Sequence, residues 1–312
     1  MKQLLLKDFM ALDLYKHRLS ACIGFFDGLH LGHQALINET IRIAEETGTE
    51  SCLITFSPDP WTVLNNKSHV NHITPVKDKV RIAESLGLDH YITINFTKET
   101  SQLSPQEFIE KILVRLNVEN LVCGKDFRFG HKGAGTVDFL EKKASYFFKT
   151  HVVEIDKMNA VKVGTTQIVQ SILKGDMEAA NTMLGRQYAV HGFVVHGAKE
   201  GRKIGFPTAN LEVVDEYVIP EGGIYAGFIW IDGVRYQSAV NIGYNPTFNT
   251  NDYVTIESHI LDFDQDIYGK NVKQTFVKRL RPELKFDSID ALVEQMTKDV
   301  QEARTILSAL ED

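Results

Sequence analysis

The spacing of apolar residues changes from helical to alternating partway along the chain, and a single layer architecture cannot satisfy both patterns. Up to about residue 155, short apolar runs at 19–26, 51–56, 90–96, 120–124 and 151–155 are separated by segments with apolar residues every three or four positions. That is the pattern of a parallel sheet covered by helices, in which strands are buried on both faces and each helix buries one stripe. In 34–46 the stripe is Leu36, Ile37, Ile41 and Ala44; in 105–116 it is Phe108, Ile109, Ile112 and Leu113, behind Ser104 as an N-cap and Pro105 in the first turn. After two more helical segments, 166–173 and 177–184, the period becomes two. Segments 190–195, 225–231, 236–242, 254–261 and 272–277 read as strands, with Asp232-Gly233 as a hairpin turn, and together they predict a small antiparallel barrel. A last helix over 288–310 aligns Leu292, Met296, Val300, Ala303 and Ile306 or Leu307 for packing on that barrel. The boundary is expected near Gly185-Arg186, giving domains 1–185 and 186–312 with no Pro/Ser/Gly-rich linker between them.

Composition narrows the function classes. A net charge of −7 argues against general affinity for nucleic-acid backbones, and no stretch approaches the ~20 apolar residues that span a bilayer. The N-terminal apolar run is too short for a signal peptide, so no nucleic-acid or membrane partner is expected. Cys22, Cys52 and Cys123 form no CxxC pair and sit in apolar runs, which predicts buried free thiols and a reducing, cytoplasmic setting. Oligomeric state is left open.

Two loops carry the chemistry. In the first half, GFFDGLHLGH (24–33) follows a strand and opens a helix, at the carboxyl edge of the sheet where α/β proteins bind ligands. Glycines there permit close backbone approach, and the helix N-terminus offers free amides to an anion. His30 and His33, three apart, can project on one side and donate to phosphate oxygens as charge develops. In the second half, 195–210 combines Gly197, Gly201 and Gly205 with Arg202 and Lys203, without the Walker A spacing. Thr208 and Asn210 are hard oxygen ligands of the kind Mg²⁺ accepts. The same residues also suit an exposed hairpin loop stiffened by Pro207, and on their own they leave both readings open.

These residues also carry a resemblance. GFFDGLHLGH is similar to the GxFDGxHxGH signature of cytidylyltransferase-like nucleotidyltransferases, and GFPTAN (205–210) resembles the Gly-x-Pro-Thr-Ala-Asn signature of riboflavin kinases. With 55–60, 103–108, 123–130, 223–227, 245–248, 261–263, 266–269 and 281–288, nearly the whole chain resembles the prokaryotic bifunctional riboflavin kinase/FAD synthetases. The resemblance implies a Rossmann-like nucleotidyltransferase domain followed by an antiparallel barrel kinase domain with a C-terminal helix. It implies that riboflavin is phosphorylated by ATP to FMN, with Mg²⁺, and that FMN is adenylylated to FAD. Nucleotide and phosphate contacts would fall to Gly24, Phe26, Asp27, Gly28, His30, His33, Thr165 and Thr166 in the first domain. In the second they would fall to Gly197, Gly201, Arg202, Lys203, Gly205 and Pro207, with Thr208 and Asn210 on the metal. Gly124, Asp126 and Phe127 would meet the flavin in one domain, Tyr225 and Phe248 in the other; Phe206 and Tyr244 are further candidates to border its ring. The catalytic carboxylate would be Glu257, which strand alternation places on the face of Tyr253, Thr255 and His259.

Two positions depart from the family pattern. Asp59 stands where a His is usual, and Val169 where the Ser/Thr-rich motif ends in Arg, with Gln167 at another commonly basic position. Val offers neither the charge nor the donors of Arg, so slow FAD synthesis is expected beside an intact kinase. The alternatives are a fully bifunctional enzyme and a flavin-nucleotide-responsive binding protein. Cytidylyl transfer to another alcohol is disfavoured by the flavin-kinase motifs on the same chain.

Overall fold

Strand β2 (Leu19–Ile23, sequence LSACI) is buried along its whole length: Leu19, Ala21 and Ile23 enter one apolar cluster and Cys22 the opposite one. A strand apolar on both faces needs cover on both, and the first unit provides it as helices above and below a parallel sheet. The computed structural model describes residues 1–9, 13–65, 70–154, 163–197, 200–245 and 253–310. Its sheet has the order β1-β4-β3-β2-β5-β6, with β1 Lys2–Leu6, β3 Glu50–Ser57, β4 His90–Asn95, β5 Val118–Gly124 and β6 Lys149–Val153, and every pair is parallel. Chain order reverses at β2, which lies between β3 and β5, so the loops leaving β2 and β5 emerge side by side at the carboxyl edge.

The helices follow from local signals. Helix α1 (Leu31–Thr47) begins with His30 as N-cap and ends on Gly48 at φ 64°, a left-handed cap that favours glycine. Short helices α2 (Pro60–Asn65), α3 (Val76–Ser85) and α4 (Lys98–Gln102) follow. Ser104 caps α5 (Pro105–Phe108) in a reciprocal capping box with Glu107, and a π-turn, Ile109–Leu113, extends the helix. Helix α6 (Val137–Lys143) leads into β6.

The second unit is built on alternation. Strands β7 (Tyr188–Val195), β8 (Ala209–Glu212), β9 (Gly223–Ile231), β10 (Val234–Asn245), β11 (Tyr253–Ile260) and β12 (Asn271–Phe276) form an antiparallel barrel. It closes when β10 pairs with β9, and β13 (Lys278–Arg281) adds to the free stretch of β9. The β9–β10 turn is Asp232-Gly233, at φ 51° and 84°, the conformation that the dipeptide favours. Inside, Gln274 joins a buried network: its Nε2 donates to Ser238 Oγ at 3.1 Å and its Oε1 accepts from Ser258 Oγ at 2.8 Å.

Compact units divide at 165/166 rather than at the expected 185/186. Helices α7 (Thr165–Leu173) and α8 (Met177–Leu184) are the reason, since they group with the barrel. The Asn181 amide donates to Phe276 O at 2.8 Å and accepts from Tyr188 N at 2.6 Å, a tie that hydrophobic spacing cannot reveal. The one-turn helix α9 (Glu200–Lys203) lies between β7 and β8. The last helix, α10 (Ile289–Ser308), capped by Ser288, packs Ala303 and Leu307 on Ala226, Phe228 and Ala239 outside the barrel.

Candidate functional site

In the first unit the loop after β2 is held by unusual backbone. Phe26, Gly28 and Leu29 have φ of 54°, 83° and 41°, which turns the chain tightly enough to present His30 as the cap of α1. His30 Nδ1 accepts from His33 N at 3.4 Å, which leaves the ring proton on Nε2. The two imidazoles stack at 3.7 Å, with Phe26 edge-on to His33 at 5.1 Å. Two imidazoles thus sit together at a 17-residue helix N-terminus, a favourable place for an anion.

Asp27, expected among the phosphate contacts, is held by the backbone of a second loop. Ile73 N and Thr74 N donate to its two carboxylate oxygens at 3.2 and 3.0 Å, so it is buried and ties two loops together. Behind it lies Lys79, 2% exposed, whose ammonium donates to Phe25 O at 3.2 Å and sits 4.3 Å from the Phe25 ring centroid. Burial lowers the Lys79 pKa, and the charges of Asp27 and Asp59 oppose that shift. Lys79 therefore offsets Asp59, itself buried and accepting from Trp61 N at 2.7 Å. Sequence reasoning missed Lys79 because its charge sits at a helical position 46 residues beyond the motif that ends at His33.

The loop after β5 leaves the same sheet edge. Gly124 is buried and Asp126 exposed, while Phe127 stacks on Phe129 at 5.5 Å, and Phe129 anchors on Phe108 at 5.6 Å. A Cβ on Gly130 would lie 2.8 Å from Pro105 N, so the loop packs directly on the capping segment of α5. Gly24 borders the Phe26 ring; Thr165 and Thr166 occupy the first turn of α7, Thr165 half-buried and Thr166 exposed.

In the second unit the barrel strands bring the expected residues into one row. Glu257 pairs in register with Asn210 on β8 and with Asn241 on β10. Ile256, Ser258 and Ile260 point inward, so Glu257 and His259 lie on the outer face. Thr208 Oγ1 donates to Glu257 Oε2 at 3.4 Å, and the His259 ring donates from Nδ1 to Pro207 O at 2.9 Å. The glycines are steric necessities: a Cβ on Gly197 would lie 2.3 Å from the Asn210 amide, and one on Gly201 would lie 2.3 Å from Phe206 O. Gly205 adopts φ 88°.

Two cavities meet at Thr208. One, of about 220 Å³, is bordered by Glu257, Asn241, Arg281, Phe286, Leu292 and Met296, between the outer barrel face and α10. The other, of about 450 Å³, is bordered by Arg202, Pro207, Asp266 and Tyr268. Lys203 is exposed on the same one-turn helix as Arg202. Arg281 donates from Nε and Nη2 to Asp299 at 2.9 and 2.7 Å, both partly or wholly buried, which fixes the cavity floor.

Tyr225, expected against a flavin, is instead core. It is fully buried, edge-on to Phe276 at 5.6 Å, and its hydroxyl donates to Glu221 O, because its strand parity turns it into the barrel. Phe248 and the side chain of Tyr244 lie outside the described residues. Asn241, Arg281 and Asp299 were not singled out in the sequence; the signal was weak, since they belong to three different elements.

Comparison with known proteins accords with this geometry. The family described as FAD synthetase matches residues 13–168, and that described as Riboflavin kinase matches residues 184–307. A Listeria monocytogenes bifunctional riboflavin kinase/FMN adenylyltransferase is 40% identical over 291 residues, 93% of each chain. The Bacillus subtilis protein of the same description is 40% identical over 295 residues, 92% of each chain. A crystal structure of a Streptococcus pneumoniae protein described as a macrolide-efflux protein superposes with a TM-score of 0.89 at 30% identity, covering 97% of this chain and 99% of that one. Among the described residues here, no helix is long and apolar enough to cross a membrane. With relatives at this identity matched along nearly their full length, the chain belongs to the bifunctional riboflavin kinase/FMN adenylyltransferase family.

Proposed function

We propose that the second unit transfers the γ-phosphoryl group of ATP to the ribityl 5′-hydroxyl of riboflavin, giving FMN. The supporting observation is that Thr208 borders both cavities and lies 3.4 Å from Glu257, so a nucleotide in one and an alcohol in the other meet at a carboxylate. Glu257 accepts the hydroxyl proton as oxygen attacks the γ-phosphorus, and ADP departs with the electron pair of the broken P–O bond. Arg202 and Lys203, with the amides of the glycine loop, hold the polyphosphate. Thr208, whose hydroxyl oxygen lies 3.4 Å from a Glu257 carboxylate oxygen, and Asn210, in register with Glu257 on the neighbouring strand, offer hard oxygens of the kind that would hold a Mg²⁺ ion bound with the nucleotide. Such an ion supplies neutralisation of phosphate charge; the positioning is the work of the chain.

In the first unit, FMN phosphate attacks the α-phosphorus of a second ATP and pyrophosphate leaves, with His30, His33 and the α1 terminus facing the charge and Gly124, Asp126 and Phe127 toward the flavin. Lys79 offsets Asp59, which leaves Val169, where the family pattern has Arg, as the departure on which slow transfer rests; it lies on the helix that groups with the second unit, and one lost phosphate contact would cost ~10²- to 10³-fold. Three buried free thiols accord with a cytoplasmic enzyme. Incubating pure protein with riboflavin, ATP and Mg²⁺ and separating the flavins by chromatography tests both halves. FMN should accumulate first and FAD slowly; absence of FMN would overturn the kinase assignment, and FAD keeping pace with FMN the slowed transfer.

A further inference from the structure

We propose that His17, Glu50 and His90 form a binding site for a divalent transition ion of the Zn²⁺ class, at the edge of the first unit's sheet opposite its phosphate-binding loop. His17 precedes β2, Glu50 opens β3 and His90 opens β4, so all three lie at the amino ends of parallel strands. The loop carrying His30 leaves the carboxyl end of β2. The cluster is therefore separate from the nucleotide chemistry.

Its geometry is close to what a metal needs. One ligating atom from each residue, an imidazole nitrogen or a carboxylate oxygen, lies within 4.8 Å of the other two. Glu50 bridges the rings, with Oε1 2.5 Å from His17 Nδ1 and Oε2 2.6 Å from His90 Nε2. Two imidazoles and one carboxylate with open positions are a recurrent set for zinc and for Fe(II), Co(II) or Ni(II). An ion at about 2.0–2.2 Å from each donor sets neighbouring donors about 3.3 Å apart, so the carboxylate opens by under 1 Å from its present spacing.

The surroundings match as well. His90 is 1% exposed, and its other nitrogen, Nδ1, lies 3.2 Å from Tyr15 Oη. With the ring proton on Nδ1 and donated to Tyr15, Nε2 presents its lone pair to the ion, the outer-shell arrangement usual for metal-bound histidine. The His17 and His90 ring centroids lie 4.9 Å apart, with the rings tilted by 52°. Lys2 is the competing cation: its ammonium is 3.3 Å from Glu50 Oε2 and 3.5 Å from His17 Nε2, on an exposed side chain free to swing into solvent.

The test uses untagged full-length protein, with zinc as the ligand and Co²⁺ as its spectroscopic probe. Wild type should take up one equivalent of zinc with a micromolar or lower Kd that is lost by 10-fold or more in Glu50→Gln and in His17→Gln. At a hundredfold excess over Kd, zinc should raise the melting midpoint of the first unit by roughly 5–10 °C. Lys2→Met, which removes only the competitor, should bind zinc as tightly or more tightly. Co²⁺ should give a d–d spectrum that the Glu50 and His17 variants lack. Melting without metal shows that each variant is folded, so a loss of binding is read at the site. No saturable zinc binding to wild type below 100 µM, or equal uptake by the folded Glu50 and His17 variants, would overturn the proposal.

Discussion

Replacing Glu257 by Gln isolates the kinase chemistry, because the structure gives this side chain almost no other work. Among the described residues its side-chain hydrogen bond is the 3.4 Å contact from Thr208, long enough to contribute little. Its backbone pairs with Asn210 and Asn241 in register, and the substitution leaves that pairing intact. Stability should therefore change by about 0.5 kcal/mol or less, the usual range for a surface substitution. Gln keeps the shape and an acceptor oxygen but cannot take a proton at neutral pH. A positioned base contributes ~10²- to 10⁴-fold, so kcat for FMN formation should fall by that factor, about 2.7–5.5 kcal/mol of barrier. KM for riboflavin should stay within about threefold, since the lost interaction develops in the transition state. Initial rates of FMN formation at several riboflavin concentrations, with a melting curve for each protein, separate these quantities. A folded variant with kcat within fivefold of wild type would refute the assignment of Glu257 as proton acceptor, and a large rise in KM at constant kcat would make it a flavin-binding group.

Val169→Arg should raise the FAD rate by roughly 10- to 100-fold in the same chromatographic assay, whereas Asp59→His should lower the melting midpoint, because it sets a second base against the buried Lys79. A fragment 166–312 should fold and phosphorylate riboflavin. One starting at 186 should be less stable by about 1–3 kcal/mol in urea melts, having lost the Asn181 bonds to Phe276 and Tyr188; equal stability of the two fragments would count against that tie. Burial pushes the Cys22 and Cys123 thiols up to about 12 and that of Cys52 well above its usual range. At pH 8 roughly one thiol in ten thousand is then thiolate, so iodoacetamide labelling should follow unfolding, and fast modification of the native protein would refute the buried assignment.

How far the sequence reaches is visible at particular residues. The strand Leu19–Ile23 within the apolar run 19–26, the Ser104 cap, the Asp232-Gly233 turn and the α10 stripe were legible because each rests on neighbours a few positions apart. The short strands β8 and β13 were not, because half or more of their four residues are polar and only pairing partners far along the chain make them strands. Tyr225 was misplaced for a related reason: aromatic character suits both a flavin wall and a core, and strand parity within a closed barrel decides between them.

By itself the sequence determined the class of each half, the family and the two loops proposed to bind phosphate, since periodicity, turn chemistry and contiguous motifs are properties of short segments. Tertiary structure alone decided which distant residues share a site. Glu257 meets Thr208 and Asn210 through the pairing of β8 with β11, Lys79 reaches Asp27 and Asp59 through helix packing, and His17 meets Glu50 and His90 through parallel register. Those meetings depend on strand order and on which way each side chain faces once its neighbours are in place, and a one-dimensional pattern of residue types contains neither.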